Sequence, residues 1–261
     1  VIKTLVSIEV DLAASRAIRF ACQLGNFIEM EIHPVYIKEA PPQEMAIGAG
    51  WARRSWEKDL VEQGKAEISE LLHSEIDYCP VLKESRVVYG DRETELTRVM
   101  EKEAFDFYVD GERFTWTPPM LYKKLHSRLL QRADAPIGLT RVLRRLEDLL
   151  VLCLDVPGTR AIAGHLQRLW AGCSLPVSLA LPAGADGALV QEASQAKTNL
   201  EGAGCRVALK EAFPYFPEPP GDEFLRQFGV VALALEKGLK KDNPALNWLC
   251  QVKVPLLLVL Y

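Results

Sequence analysis

The same order of strand-forming and helix-forming segments runs through this chain twice, and that repetition limits the fold more than any single motif does. The first pass opens with the apolar run Ile2 to Val10 and stops at Asp11. Ala14, Ala17, Ile18, Ala21 and Leu24 then recur at helical spacing, and Gly25 closes that helix. A β-rich run follows and ends at Ile37 and Lys38. A connection so short, with a helix inside it, makes a parallel strand pair with a right-handed crossover.

Pro41-Pro42 and Gly48 to Gly50 read as a loop. From Ser55, an acceptable N-cap, the helical period returns with Trp56, Leu60, Ile68, Leu71 and Leu72. Arg86 to Tyr89 reads as a strand ending at Gly90-Asp91, and Thr94 to Glu103 as a helix. Phe105 to Val109 is the next strand, ending at Asp110-Gly111. Pro118-Pro119 can open a helix in which Leu121, Leu125 and Leu129 form one stripe. Pro136 to Leu139 is a last strand, and the polar, basic stretch Arg141 to Glu147 reads as a linker.

The second pass repeats the order. Leu149 to Leu154 is a strand ending at Asp155, and Ile162, Leu166, Leu169 and Trp170 mark a helix. Strands are expected at Pro176 to Leu181, Cys205 to Leu209, Val230 to Leu235 and Pro255 to Leu260. Helices are expected at Leu189 to Leu200, Asp222 to Phe228 and Pro244 to Val252, and loops at Gly184 to Gly187 and Phe213 to Gly221. Asp11 matches Asp155, Phe105 matches Phe228 and Pro136 matches Pro255. The separation within these pairs shrinks along the chain, so the second copy is the shorter. The chain is therefore expected to form two consecutive doubly wound α/β domains, 1–142 and 145–261, each a parallel sheet with helices on both faces.

Apolar residues at 49% and charged residues at 25% supply enough material for two cores. A net charge of −4 argues against a general nucleic-acid binder, because neutralising phosphates needs a basic face. The longest apolar run, Val254 to Tyr261, is strand-sized, so no membrane insertion is expected. Val1 to Val10 is too short for a secretory leader, and a first residue other than Met suggests a trimmed chain; the location expected is cytoplasmic. Cys22, Cys79, Cys153, Cys173, Cys205 and Cys250 form no CxxC pair and are expected to be reduced, mostly buried thiols. The four histidines are scattered without ligand spacing, so no metal is expected.

Several local patterns resemble the universal stress protein family. They are Val10-Asp11-Leu-Ala-Ala-Ser15, its counterpart Leu154-Asp155-Val-Pro-Gly-Thr159, and Val88-Tyr-Gly90-Asp91. Phe105-Asp106-Phe-Tyr-Val-Asp-Gly111 and Leu129-Leu-Gln-Arg-Ala133-Asp-Ala-Pro136-Ile complete the set. The order and spacing of these motifs carry the resemblance, which spans the first copy and extends in pattern over the second. It implies five-stranded sheets in the order 3-2-1-4-5, with the last strands of the two domains pairing as an intrachain pseudo-dimer. It leaves a further homodimer open. It also implies a stress-response regulator or adaptor that meets an unidentified protein partner or a small ligand.

Nucleotide-binding members of that family hold ATP at the carboxyl ends of strands 1 and 4. Their signature is Gly-x-x-Gly, a spacer, then Gly-Ser or Gly-Thr, because glycines let backbone N–H groups close on phosphate. Here the first glycine is Gly111, the second position holds Phe114, and Lys123-Lys124 replaces the Gly-Ser pair. In the second copy Ala234 stands at the first glycine, Gly238 is out of register, and Lys240-Lys241-Asp-Asn-Pro244 follows. Neither copy keeps the signature.

Candidate ligand-binding residues are Asp11, Gly90, Gly111, Lys123 and Lys124, with ATP or AMP in the first domain as the ligand to consider. Each carries a second reading. The lysines either supply charge to a phosphate or form a solvated helix face, and Asp11 either accepts from an adenine or ribose group or caps a helix. Trp116 either lines a pocket or packs its loop. Tyr215 and Phe216 either dock a partner or cover the sheet. Arg53 and Arg54, beside Trp51 and Trp56, are a candidate lid. Asp91, Asp106 and Asp110 lie near strand ends with no His or Ser placed to make a nucleophile and base, so the chain is expected not to be an enzyme. A slow ATPase is the weakest of the three functions considered, behind an adaptor and a small-ligand sensor.

Overall fold

The apolar, Asp-terminated runs do become the strands of one continuous sheet. A computed structural model describes residues 1–39, 50–79, 81–112, 115–213, 222–225 and 227–261. In the first half these form β1 (Ile2–Ile8), α1 (Leu12–Gly25), β2 (Met30–Lys38), α2 (Trp51–Ile76) and β3 (Arg86–Tyr89). Then come α3 (Arg92–Lys102), β4 (Phe107–Gly111), α4 (Pro118–Leu125), α5 (Arg128–Arg132) and β5 (Ile137–Thr140). The second half forms β6 (Leu149–Leu152), α6 (Val156–Leu169), β7 (Val177–Pro182), α7 (Gly187–Gly202) and β8 (Val207–Phe213). It ends with α8 (Asp222–Leu225), β9 (Val230–Leu235), α9 (Pro244–Gln251) and β10 (Leu256–Leu260).

The strands lie in the order β3-β2-β1-β4-β5-β10-β9-β6-β7-β8. Each half thus has the order 3-2-1-4-5, and its strand pairs are parallel. The seam between halves is antiparallel, with Leu256, Leu257 and Leu258 opposite Leu139, Gly138 and Ile137. The pseudo-dimer is built into one chain.

Because the sheet is continuous, each of its two faces carries a core that crosses the seam. One core joins Phe20, Val109 and Ile18 of the first half to Trp170, Leu166 and Val259 of the second. The other joins Tyr108, Leu139 and Leu125 to Trp248, Leu233 and Leu258. Burying one such side chain stabilises the fold by about 1.5–3 kcal/mol.

Several local expectations are corrected. Ser55 does not start α2; the helix begins at Trp51, and Gly50, with φ of 95°, holds the cap position. The stripe of Leu121, Leu125 and Leu129 is buried, but it belongs to two helices. The break falls at His126-Ser127, where the Ser127 hydroxyl accepts from the Leu130 N–H and caps α5. The strand expected from Phe105 starts at Phe107, and the one expected from Cys205 starts at Val207. Pro41-Pro42, Phe114, Tyr215 and Phe216 lie outside the described residues.

The expectation of reduced thiols fails for one pair. Cys22 and Cys79 form a disulfide, with Cα atoms 5.6 Å apart across a sequence separation of 57. α1 and α2 lie side by side, so the turn after α2 meets α1. Cys153, Cys173, Cys205 and Cys250 are free, the first three buried.

The stretch expected as a plain linker is a clasp. Arg141 donates to the carbonyls of Leu249 (3.1 Å), Cys250 (3.0 Å) and Val252 at the end of α9, where cations suit the helix dipole. Its guanidinium also lies 4.1 Å from the centre of the Trp116 ring. Among the described residues, no helix is long and apolar enough to cross a membrane.

Candidate functional site

A doubly wound sheet opens a crevice where the winding reverses, here between the carboxyl ends of β1 and β4. α1 leaves β1 at Asp11, whose carboxylate accepts the N–H groups of Ala13 (2.8 Å) and Ala14 (3.1 Å). Asp11 therefore caps the helix. Gly111 ends β4 directly beneath that first turn. A Cβ built on it would lie 2.0 Å from the Ala13 carbonyl oxygen, so only glycine lets α1 approach β4 this closely.

Charge fills the rest of the crevice. Asp110, 4% exposed, points inward from β4. Arg92, the first residue of α3, reaches it through Nη2 at 3.1 Å, touches Ser7 Oγ at 2.9 Å, and pairs with Glu9 through Nε at 3.0 Å. Lys124 donates to Asp110 at 2.9 Å and pairs with Glu112. Glu112 also accepts from Trp116 Nε1 at 2.9 Å, so Trp116, itself buried, packs its loop. Burial opposes ionisation of Asp110, but Lys124 and then Arg92 outweigh it and hold its pKa below the ordinary carboxylate value. Burial likewise disfavours charge on Lys124, yet Asp110 and Glu112 raise its pKa. Asp110 is therefore held as a carboxylate between the two cations, each of which has a second carboxylate partner, Glu9 for Arg92 and Glu112 for Lys124.

The five candidates are only partly brought together. Asp11, Gly111 and Lys124 surround the switch point. Lys123 is exposed on the last turn of α4, the solvated position. Gly90 ends β3, with β2 and β1 between it and β4; its φ of 147° is a backbone state that suits glycine. It borders a separate hollow of about 610 Å3 with Arg53 and Tyr89, so Arg53 belongs to that hollow at the sheet edge. A smaller hollow of about 320 Å3 lies between the ends of β1 and β2, lined by Val10, Ile37, Lys38 and Arg92.

Arg92 was not among the sequence candidates. Its signal was a cation in the first turn of a helix, where the macrodipole disfavours positive charge and a carboxylate partner is needed.

The second crevice, between β6 and β9, is also filled. Asp155 caps α6 by accepting from Gly158 N–H at 2.6 Å. Both of its oxygens also accept from the Tyr261 hydroxyl at 3.0 Å. The Tyr261 ring packs so near Gly158 that a Cβ there would lie 3.1 Å from it. Lys240 and Lys241 are exposed. Among the described residues, no group of His, Cys, Asp or Glu could hold a metal ion.

Two doubly wound halves, joined through antiparallel last strands and each with a switch-point crevice, define a tandem α/β architecture. Neither family models nor curated proteins match the sequence. The fold itself is that of the universal stress proteins. A universal stress protein from Archaeoglobus fulgidus superposes with a TM-score of 0.61 at 12% identity, covering 98% of this chain and 95% of that one. A universal stress protein candidate from Pseudomonas aeruginosa gives a TM-score of 0.51 at 15% identity, covering 99% of this chain and 92% of that one.

Proposed function

We propose that this chain is a non-catalytic stress-response regulator or adaptor of the universal stress type, with domains at 1–142 and 145–261, acting in the cytoplasm. One observation carries the reading. The two cations nearest the first switch point, Arg92 and Lys124, are already engaged by Asp110, Glu9 and Glu112. An incoming phosphate would have to displace an internal carboxylate held at 2.9 Å. It would also meet no glycine cradle, since Phe114 and Lys123-Lys124 stand at the remaining signature positions. Isothermal titration of the full chain with ATP and with AMP tests this. The expected result is no binding at micromolar ligand, and micromolar affinity for either overturns it.

A second reading, a sensor of adenine nucleotides or small anions, is favoured by the hollow of about 320 Å3 beside Arg92. It requires nucleotide binding that weakens in Arg92→Ala, since Arg92 lines that hollow. Binding that is absent, or unchanged by that substitution, removes it.

A further inference from the structure

A cavity beside the Cys22–Cys79 bridge takes no part in either crevice. Its volume is about 450 Å3, and its wall includes Arg19, Cys22, Gln23, Asn26 and Tyr78. The two bridged sulfurs differ in access. Cys79 is 2% exposed, whereas Cys22 is only partly buried and faces the cavity. A nucleophile entering there meets Cys22 first, and access decides which sulfur of a disulfide is attacked.

The wall also offers recognition groups. Among the described residues, Gln23 Oε1 is buried without a hydrogen-bond partner, an acceptor that costs free energy until a donor arrives. Arg19 holds Glu75 through its Nε alone, at 3.1 and 2.9 Å. Among the described residues its two terminal nitrogens have no partner, and the side chain is half exposed. Both residues line the cavity, so a turn of the Gln23 amide toward it would set an acceptor for an amide N–H beside a fork for a carboxylate, next to an attackable sulfur.

We propose that this cavity is a site of thiol–disulfide exchange with a small peptide thiol that carries an amide and a carboxylate. The incoming thiolate bonds to Cys22 Sγ as the Cys22–Cys79 bond breaks. The bonding pair leaves on Cys79, which takes up a proton. A second thiolate then attacks the mixed disulfide, releases the oxidised dimer of the small thiol, and leaves Cys22 to take up a proton in turn. The protein gains two electrons and two protons, and two small thiols lose them. The mixed disulfide cuts the covalent tie between α1 and the turn after α2.

The test uses the full chain, isolated without reductant, and reduced glutathione as the probe. After incubation without denaturant, free thiols are alkylated and both cysteines mapped by mass spectrometry. The expected result is glutathione on Cys22 and alkylation of Cys79. Gln23→Leu, and Arg19→Lys, which keeps the charge beside Glu75, should each slow adduct formation about tenfold. Neither should slow reduction by dithiothreitol, which has no amide or carboxylate. Free thiols at both positions before treatment, glutathione on Cys79, a bridge inert until denaturation, or equal slowing with both reductants would each overturn the proposal.

Discussion

Asp110 shows how one side chain ties up the charges at a crevice. It is buried, yet two cations keep it ionised, and in doing so they lose their own freedom to meet a ligand. Replacing it with Ala takes the buried partner from Arg92 and Lys124 and leaves them Glu9 and Glu112 alone. The cost should be about 2–3 kcal/mol, below that of a fully buried pair because both cations still reach water. The pH dependence follows from the direction of the shift. Its folded pKa lies below the ordinary value, so the stability it contributes is complete above the unfolded-state pKa of about 4 and is lost as pH falls through the lower folded value. Denaturant midpoints measured from about pH 6 down to about pH 2 should therefore fall more steeply for the native chain than for Asp110→Asn. Parallel curves would show that Asp110 is not held by this network. Gly111→Ala tests the neighbouring contact. With a Cβ only 2.0 Å from the Ala13 carbonyl, it should cost about 3 kcal/mol by the same denaturation measurement.

Elements were easier to read from sequence than their relations. Strand identity followed from apolar runs closed by Asp11, Gly90-Asp91, Asp110-Gly111 and Asp155, and family resemblance supplied the strand order. Lys123 and Lys124 illustrate the limit at the site. Neighbouring residues on a helix differ by about 100° in direction, and nothing local says which one faces Asp110. The capping Ser127 was hidden inside a leucine stripe of the right period. Arg141 looked like linker charge because its partners, the last carbonyls of α9, lie more than a hundred residues away. The Cys22–Cys79 bridge was illegible for the same reason, since only the packing of α1 on α2 makes the two neighbours. That bridge closes a long loop, so Cys22→Ser with Cys79→Ser should lower stability by about 4 kcal/mol in the chain-entropy picture. A midpoint unchanged from that of the unreduced chain would contradict the tie between these helices.

At the scale of the whole molecule, the ten-stranded sheet and the two seam-crossing cores make each half part of the other's interior. The halves should therefore unfold together. Calorimetry should give one transition, with calorimetric and van't Hoff enthalpies in agreement; two separated transitions would mean that the β5–β10 seam couples them weakly. The repeat keeps its sheet while its two crevices are closed differently, the first by Asp110 between Arg92 and Lys124, the second by Tyr261 on Asp155. Both closures lead to the same claim, that the chain uses the fold without a resident nucleotide. Mass spectrometry of the small molecules released when the freshly purified full chain is denatured tests that claim most directly. No adenine nucleotide is expected at a level comparable to the protein, and one AMP or ATP released per chain would contradict the claim.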